Sequence, residues 1–197
     1  MARIAEIART TKETDISIKI NIDGGANGKG AANIATGVGF FDHMLTALGV
    51  HGGFDLDVTC NGDLEVDAHH TVEDVGIVLG QAFKKAIGEA KGIARYGSAY
   101  IPMDEALARA VLDISNRPFL VFQADFTADQ IGDMDTQLVE EFLRAFAFNA
   151  GITLHVTALY GNNDHHIAEA IFKALAHALK VAVAVNGDTV LSTKGSL

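Results

Sequence analysis

Residues 41–59 laid on residues 139–157 give six identities in nineteen: Leu45/Leu143, Ala47/Ala145, Gly53/Gly151, Leu56/Leu154, Val58/Val156 and Thr59/Thr157. One offset serves all six. Dropping two residues from the next loop superposes His69-His70-Thr71-Val72-Glu73 on His165-His166-Ile167-Ala168-Glu169. A duplicated half-domain is the simplest account, and it constrains the fold more than anything else in the sequence, because whatever one half forms the other must form too. Upstream, residues 16–23 can be laid on 106–113. The repeats are taken as residues 1–92 and 93–197, together one domain.

Periodicity supplies the elements. Ile16, Ile18, Ile20 and Ile22 alternate with Ser17, Lys19 and Asn21, which predicts a strand with one buried face, closed by a Gly-, Ala- and Asn-rich loop over 24–37. A short helix over 40–50, a strand over 54–58 and a helix from about His70 follow. Beyond the connection at 92–97, strands are expected over 106–114 and 119–126, a helix over 137–149, a strand over 152–158 and a helix from about His165. Both halves therefore mix strand and helix.

The repeated His-His-x-x-Glu is the chemical signal. Adjacent helical residues project about 100° apart, and the Glu lies three residues from one His and four from the other, so each copy offers ligands in two directions. Imidazole nitrogen with carboxylate oxygen, and no thiolate, suits Mn, Fe, Co or Zn better than Mg or Ca. The pattern is not the zincin His-Glu-x-x-His. His43 falls on Glu141, 26 residues before the first pair and 24 before the second, so each half offers a third ligand. The candidate ligands are thus His43, His69, His70, Glu73, Glu141, His165, His166 and Glu169. Asp74 has Ala170 as counterpart and reads as a cap or a support for a ligand. His155 reads as a structural or supporting group, and His51 and His177, opposite Asn149 and Gln81, as surface or interface side chains.

Composition narrows the class. The chain has 15 Lys plus Arg against 25 Asp plus Glu, a formal net charge of −10, and no basic run, which makes it a poor nucleic-acid binder. Apolar residues never approach the roughly 18 in a row that a membrane span needs. The single Cys60 allows no intrachain disulfide or thiolate cage, and the first residues lack a secretory apolar core, so the cytoplasm is the expected location. Gly28-Lys29-Gly30 fails as a P-loop and Gly37-Val38-Gly39 lacks the third glycine of a dinucleotide fingerprint. Met44 and the Phe residues are read as core. Among the cations, Arg95, Arg117, Lys173 and Lys194 interrupt otherwise plain segments, and Lys173, four residues after Glu169, should share its helix face.

Phe41-Asp42-His43-Met44-Leu45, the 67–74 segment Asp-Ala-His-His-Thr-Val-Glu-Asp, Ser115-Asn116-Arg117-Pro118, His165-His166-Ile167-Ala168-Glu169-Ala170 and Ser192-Thr193-Lys194-Gly195 together resemble the imidazoleglycerol-phosphate dehydratase family of histidine biosynthesis. The likeness spans nearly the whole chain in order. It implies an internally duplicated α+β fold, each half a mostly antiparallel sheet with helices packed on one face (ribosomal-protein-S5-domain-2-like). It also implies a hollow homo-oligomer of 24 subunits, with two Mn(II) ions per active site bound where subunits meet. One ion would take His69, Glu73, Glu141 and His165, the other His43, His70, His166 and Glu169. Arg95, Arg117, Lys173, Ser192 and Lys194 match positions that hold the substrate phosphate, and Glu13 matches an acid/base residue that acts with His70 and Glu169. Two positions depart from the family pattern: Glu141 stands where many members have His, and Ala47 where some have a phosphate-binding Gln. No fused phosphatase domain is expected.

The implied activity is a metal-dependent carbon–oxygen lyase acting on D-erythro-imidazoleglycerol phosphate. The C–H bond to be broken has no adjacent carbonyl, so the ring must take the electrons. A di-manganese-bound imidazolate and a diazafulvene would carry the elimination to an enol and then to imidazoleacetol phosphate. A dinuclear hydrolase shares the ligands but predicts ester or amide hydrolysis. A ferritin-type storage cage requires four long bundled helices, which the two alternating strands oppose.

Overall fold

A computed structural model describes residues 2–24 and 30–194. The first half carries β1 (Ile4–Thr10), β2 (Thr14–Asn21), β3 (Ala32–Ala35), α1 (Gly39–Gly52), β4 (Asp55–Gly62) and α2 (His69–Ile87). The second carries β5 (Tyr96–Met103), β6 (Ala106–Asp113), β7 (Phe119–Gln123), the small hairpin β8 (Gln130–Ile131) and β9 (Met134–Asp135), α3 (Gln137–Ala150), β10 (Thr153–Tyr160) and α4 (Asp164–Val183). The sheets have orders β1-β2-β4-β3 and β5-β6-β10-β7. In each, the last strand runs parallel to its neighbour and the other pairs are antiparallel. This is the expected duplicated, mostly antiparallel α+β design. Each sheet buries one face under helices, and α2 packs on α3 and α1 on α4 between the two sheets. Among the described residues no ferritin-type bundle is formed.

The core follows from alternation. Ile16, Ile18 and Ile20 point inward from β2, and Ala106, Ala108, Ala110 and Leu112 from β6. Gly76 and Gly80 let α2 approach α3: a Cβ on Gly76 would lie 2.9 Å from Ala145 Cβ, and one on Gly80 2.7 Å from the Phe146 carbonyl. Gly53 and Gly151, aligned by the duplication, close α1 and α3 at φ 70° and 71°, the left-handed conformation that glycine takes without strain.

Several expectations are corrected. Strands β1 and β5 were not expected, and β3 lies inside the segment read as loop, its ladder completed by parallel pairing with β4. The 119–126 strand stops at Gln123. Ile18 pairs with Val58 and Ala110 with Val156, so the equivalent strands are Thr14–Asn21 and Ala106–Asp113, two residues from the alignment of 16–23 on 106–113. Phe119 and Phe148 are exposed, whereas Met44 and most other Phe are core as read. The 28–30 segment rejected as a P-loop and the end of the 192–197 tail lie partly outside the described residues. Among the described residues no helix is long and apolar enough to cross a membrane.

Candidate metal centre and anion cleft

The duplicated histidine pairs open α2 and α4. Asn163 caps α4 by accepting from the His165 and His166 amides, fixing the turn that presents both rings. The start of α1, which carries His43, has no cap from its own sequence. Asp133, in the turn between β8 and β9, supplies one by accepting from the Gly39 and Phe40 amides at 2.6 and 3.0 Å. The second half thereby positions a candidate ligand of the first.

One cluster of three candidate ligands assembles among the described residues: His43, His165 and Glu169, with donor atoms within 4.8 Å of one another. Glu169 Oε2 lies 3.2 Å from His43 Nε2 and 3.1 Å from His165 Nε2, and Phe40 packs edge-on to the His165 ring. Burial works to raise the Glu169 carboxyl, but hydrogen bonds from Lys173 and His43 bring it down to about 2. Lys173 Nζ sits 2.5 Å from Glu169 Oε1, on the shared helix face that its spacing predicts. Two imidazoles and a carboxylate at this separation are a donor set that fits a first-row divalent ion.

The remaining candidates stand apart. His69 Nε2 is 3.7 Å from Glu73, both half-exposed. Glu141, the counterpart of His43, is paired with Arg144 at 3.6 Å. His70 Nδ1 lies 3.0 Å from Asp63 and its Nε2 3.9 Å from Glu13 Oε1. His166 Nδ1 lies 2.7 Å from Glu105, and its Nε2 3.8 Å from Asp104. These carboxylates raise both imidazoles above their ordinary value, Asp63 chiefly for His70 and Glu105 for His166. Asp63, Glu105 and Asp133 were not singled out from the sequence: Glu105 and Asp133 act on helix starts that only the topology brings near, and Asp63, seven residues before His70, has Gly161 as its repeat counterpart. Asp74 does not cap α2. It is buried against Thr14 and Arg9, and it anchors the turn that bears Glu13. His51 and His177 face each other across α1 and α4 with ring centroids 5.7 Å apart, as their counterparts Asn149 and Gln81 meet through a 3.3 Å hydrogen bond.

Arg95, Arg117, Ser192 and Lys194 line one open cleft with Tyr96 and Thr193. Arg95 is buried, at φ 71°; it chelates Asp113 at 2.7 and 3.0 Å and donates from Nη1 to the Leu191 carbonyl, fastening the tail that carries Ser192 and Lys194. Lys173 is not part of this cleft. The cleft lies at the far end of α4 from the histidines: Arg95 N donates to the Ala182 carbonyl, seventeen residues on from His165, or roughly 26 Å at 1.5 Å per residue.

Fold and site together define a duplicated α+β protein with candidate imidazole–carboxylate metal ligands near the helix starts and a cation-lined cleft at the far end of α4. The sequence model of the imidazoleglycerol-phosphate dehydratase family matches residues 36–179. The imidazoleglycerol-phosphate dehydratase of Acetivibrio thermocellus is 61% identical over all of both chains, and that of Azorhizobium caulinodans 57% over 99% of this chain and 98% of its own. The crystal structure of the Staphylococcus aureus enzyme superposes with a TM-score of 0.82 at 44% identity, covering 92% of this chain and 99% of that one. The Pyrococcus furiosus enzyme gives 0.83 at 40% identity over 97% and 100%. The chain belongs to the imidazoleglycerol-phosphate dehydratase family.

Proposed function

We propose that this chain removes water from imidazoleglycerol phosphate to give imidazoleacetol phosphate, in histidine biosynthesis, using two Mn(II) ions per active site. The three-donor cluster of His43, His165 and Glu169 is the observation that carries the metal reading. His69, His70, Glu73, Glu141 and His166 complete the ligand set that the family resemblance implies. When bound, such ions supply Lewis acidity at the substrate's ring nitrogens, so that the ring can take the electron pair of the broken C–H bond.

The chain's own residues do the rest. Arg117 and Lys194 offer charge to the phosphate, with Arg95 holding the tail in place and Ser192 adding a hydroxyl. Glu13 is more than half exposed and 3.9 Å from His70 Nε2, within reach of a group bound there, and is the acid/base that moves the proton at its Oε1. Lys173 keeps Glu169 ionised. The hydroxyl and the neighbouring proton leave as water, and the enol product becomes the ketone.

The separation of ligands and anion cleft along α4 supports active sites shared between copies, since one substrate cannot span roughly 26 Å. The outward face of the second sheet supports the same reading. Tyr100 and Val111 stand exposed there, with Leu159 and Tyr160 at the β10 bulge, whereas the first sheet shows Lys19, Asp57 and Ser17. A second copy of the chain is the partner, in a particle whose count of 24 follows from the family resemblance. A cytoplasmic setting suits the lone, buried Cys60, whose thiol burial pushes up to about 11.

Assaying imidazoleglycerol phosphate with metal-depleted protein and added Mn(II) tests the proposal. Turnover should appear only with the metal. Glu13→Gln should lower kcat at least ~10²-fold while substrate and metal still bind, in line with removal of a general acid/base. Full activity in that variant overturns the assignment, and hydrolysis of an ester or amide in place of dehydration overturns the reaction.

A further inference from the structure

His70 and His166 are the second histidines of the two repeats, and in each the Nδ1 is taken by a carboxylate. Asp63 receives His70 Nδ1 at 3.0 and 3.1 Å, and Glu105 receives His166 Nδ1 at 2.7 Å. An ionised carboxylate can only accept, so the Nδ1 of each ring carries the hydrogen and Nε2 is left with the lone pair. The contact is the same in both halves, yet its source is not. Asp63 follows β4, and the residue one repeat offset later is Gly161. Glu105 lies in the β5–β6 turn, and the strand register makes its counterpart Glu13.

Glu105 is fully committed: Oε1 accepts from the Asn162 and Asn163 amides at 3.1 and 2.8 Å, tying its turn to the start of α4, while Oε2 holds His166. Glu13 has none of these duties. Its turn is held instead by Thr14 Oγ1 donating to Asp74 at 2.6 Å, and Ala170 stands where the second half would need an Asp.

We infer that Asp63 and Glu105 are positioning residues that hold His70 and His166 as the Nδ1–H tautomer, leaving each Nε2 lone pair available to a metal ion. By taking this task in the first half, Asp63 leaves Glu13 free to act on substrate. The inference rests on the metal-site reading above. It divides two equivalent glutamates into an orienter and an acid/base, with the division set by which half owns an Asp at position 63. Partners of this kind fix ring orientation, and losing one costs 10–100-fold in metal affinity.

The test titrates Mn(II) alone into the metal-free full chain by calorimetry. Asp63→Ala and Glu105→Ala should each weaken Mn(II) binding ~10–100-fold, and Asp63→Asn and Glu105→Gln, which keep an acceptor oxygen, should recover part of it. Glu13→Gln should bind Mn(II) as the parent does while losing turnover. A readout without metal runs beside it. At pH 8, the imidazole 15N shifts of His70 and His166 should report Nδ1–H in the parent and a tautomer mixture in the alanine variants. Mn(II) affinity within threefold of the parent in both alanine variants, or unchanged 15N shifts, overturns the inference. A parent chain that binds no Mn(II) overturns the metal reading beneath it instead.

Discussion

Ile18 and Ala110 occupy the same place in the two sheets, but one residue further along each strand the halves part. Lys19 faces outward beside Asp57, whereas Val111 faces outward between Ser98 and His155. The helices differ in the same sense. The second half gathers its His165 and Glu169 with His43 into a tight cluster, while the first leaves His69 and Glu73 at 3.7 Å with Glu141 turned to Arg144. A duplicated fold thus supplies two copies of each position, and substitution has made them differ: the first sheet shows charged and polar side chains outward, the second Tyr100 and Val111. One acidic turn orients a histidine and the other is left free.

The largest effect should come from the sheets. Val111→Glu places a charge beside Tyr100 and His155 on the outward face and should reduce the proposed assembly to smaller species on light-scattering chromatography. If, as proposed, the active site takes its candidate ligands and its cation-lined cleft from different copies, turnover should fall ~100-fold or more with it. Ser17→Glu, at the outward face of the first sheet, should leave both unchanged. An intact assembly in the Val111 variant removes the distinction between the sheets.

Next in size is the contrast between the two motif glutamates. Glu169 is buried and faces His43, His165 and Lys173, whereas Glu73 is half-exposed with one distant partner. In metal-free protein Glu169→Gln leaves the Lys173 ammonium without its carboxylate and should cost about 2–3 kcal/mol, less than a fully buried pair because Lys173 keeps some solvent. Glu73→Gln should cost under ~1 kcal/mol. Urea unfolding at fixed subunit concentration measures both. Equal losses would mean that the second half holds no preassembled cluster.

Which of these contrasts could be read in advance follows from the range of the interactions. The histidine pairs were legible because ligands one turn apart sit within five residues of sequence. The sheet register was not: moving the 16–23 segment by two residues keeps every side chain on its own face, so alternation alone cannot detect the slip. The edge strand β1 carries Ile4 exposed and Ile7 three residues on, with no period of two to mark it. Strand β3 is four residues long, and its parallel partner β4 lies beyond a whole helix. Asp133 and Glu105 act across 93 and 61 residues of chain, respectively, and only the fold makes them neighbours.

The smallest effect concerns the point where the halves exchange neutral amides for imidazoles. Gln81 and Asn149 meet in the α2/α3 contact, and His177 and His51 in the α1/α4 contact, near Lys173, Lys180 and Glu169. Burial pushes both imidazoles below their ordinary value, helped by Lys173 at His51 and Lys180 at His177. A folded-state value below the unfolded 6.5 means that the unfolded chain takes up protons first. Their contribution is therefore fully present above pH 6.5 and is lost as the pH falls below it toward the lowered folded values. The double variant His51→Asn/His177→Gln, which copies the other half, removes those two protons. Its unfolding midpoint should match the parent's more closely at pH 8 than at pH 5.5, where the parent has lost no more than about 1 kcal/mol that the variant keeps. Parallel stability curves for the two proteins between pH 5 and 8 would show that the imidazoles titrate alike in folded and unfolded chains, and that this contact differs between the halves in composition only.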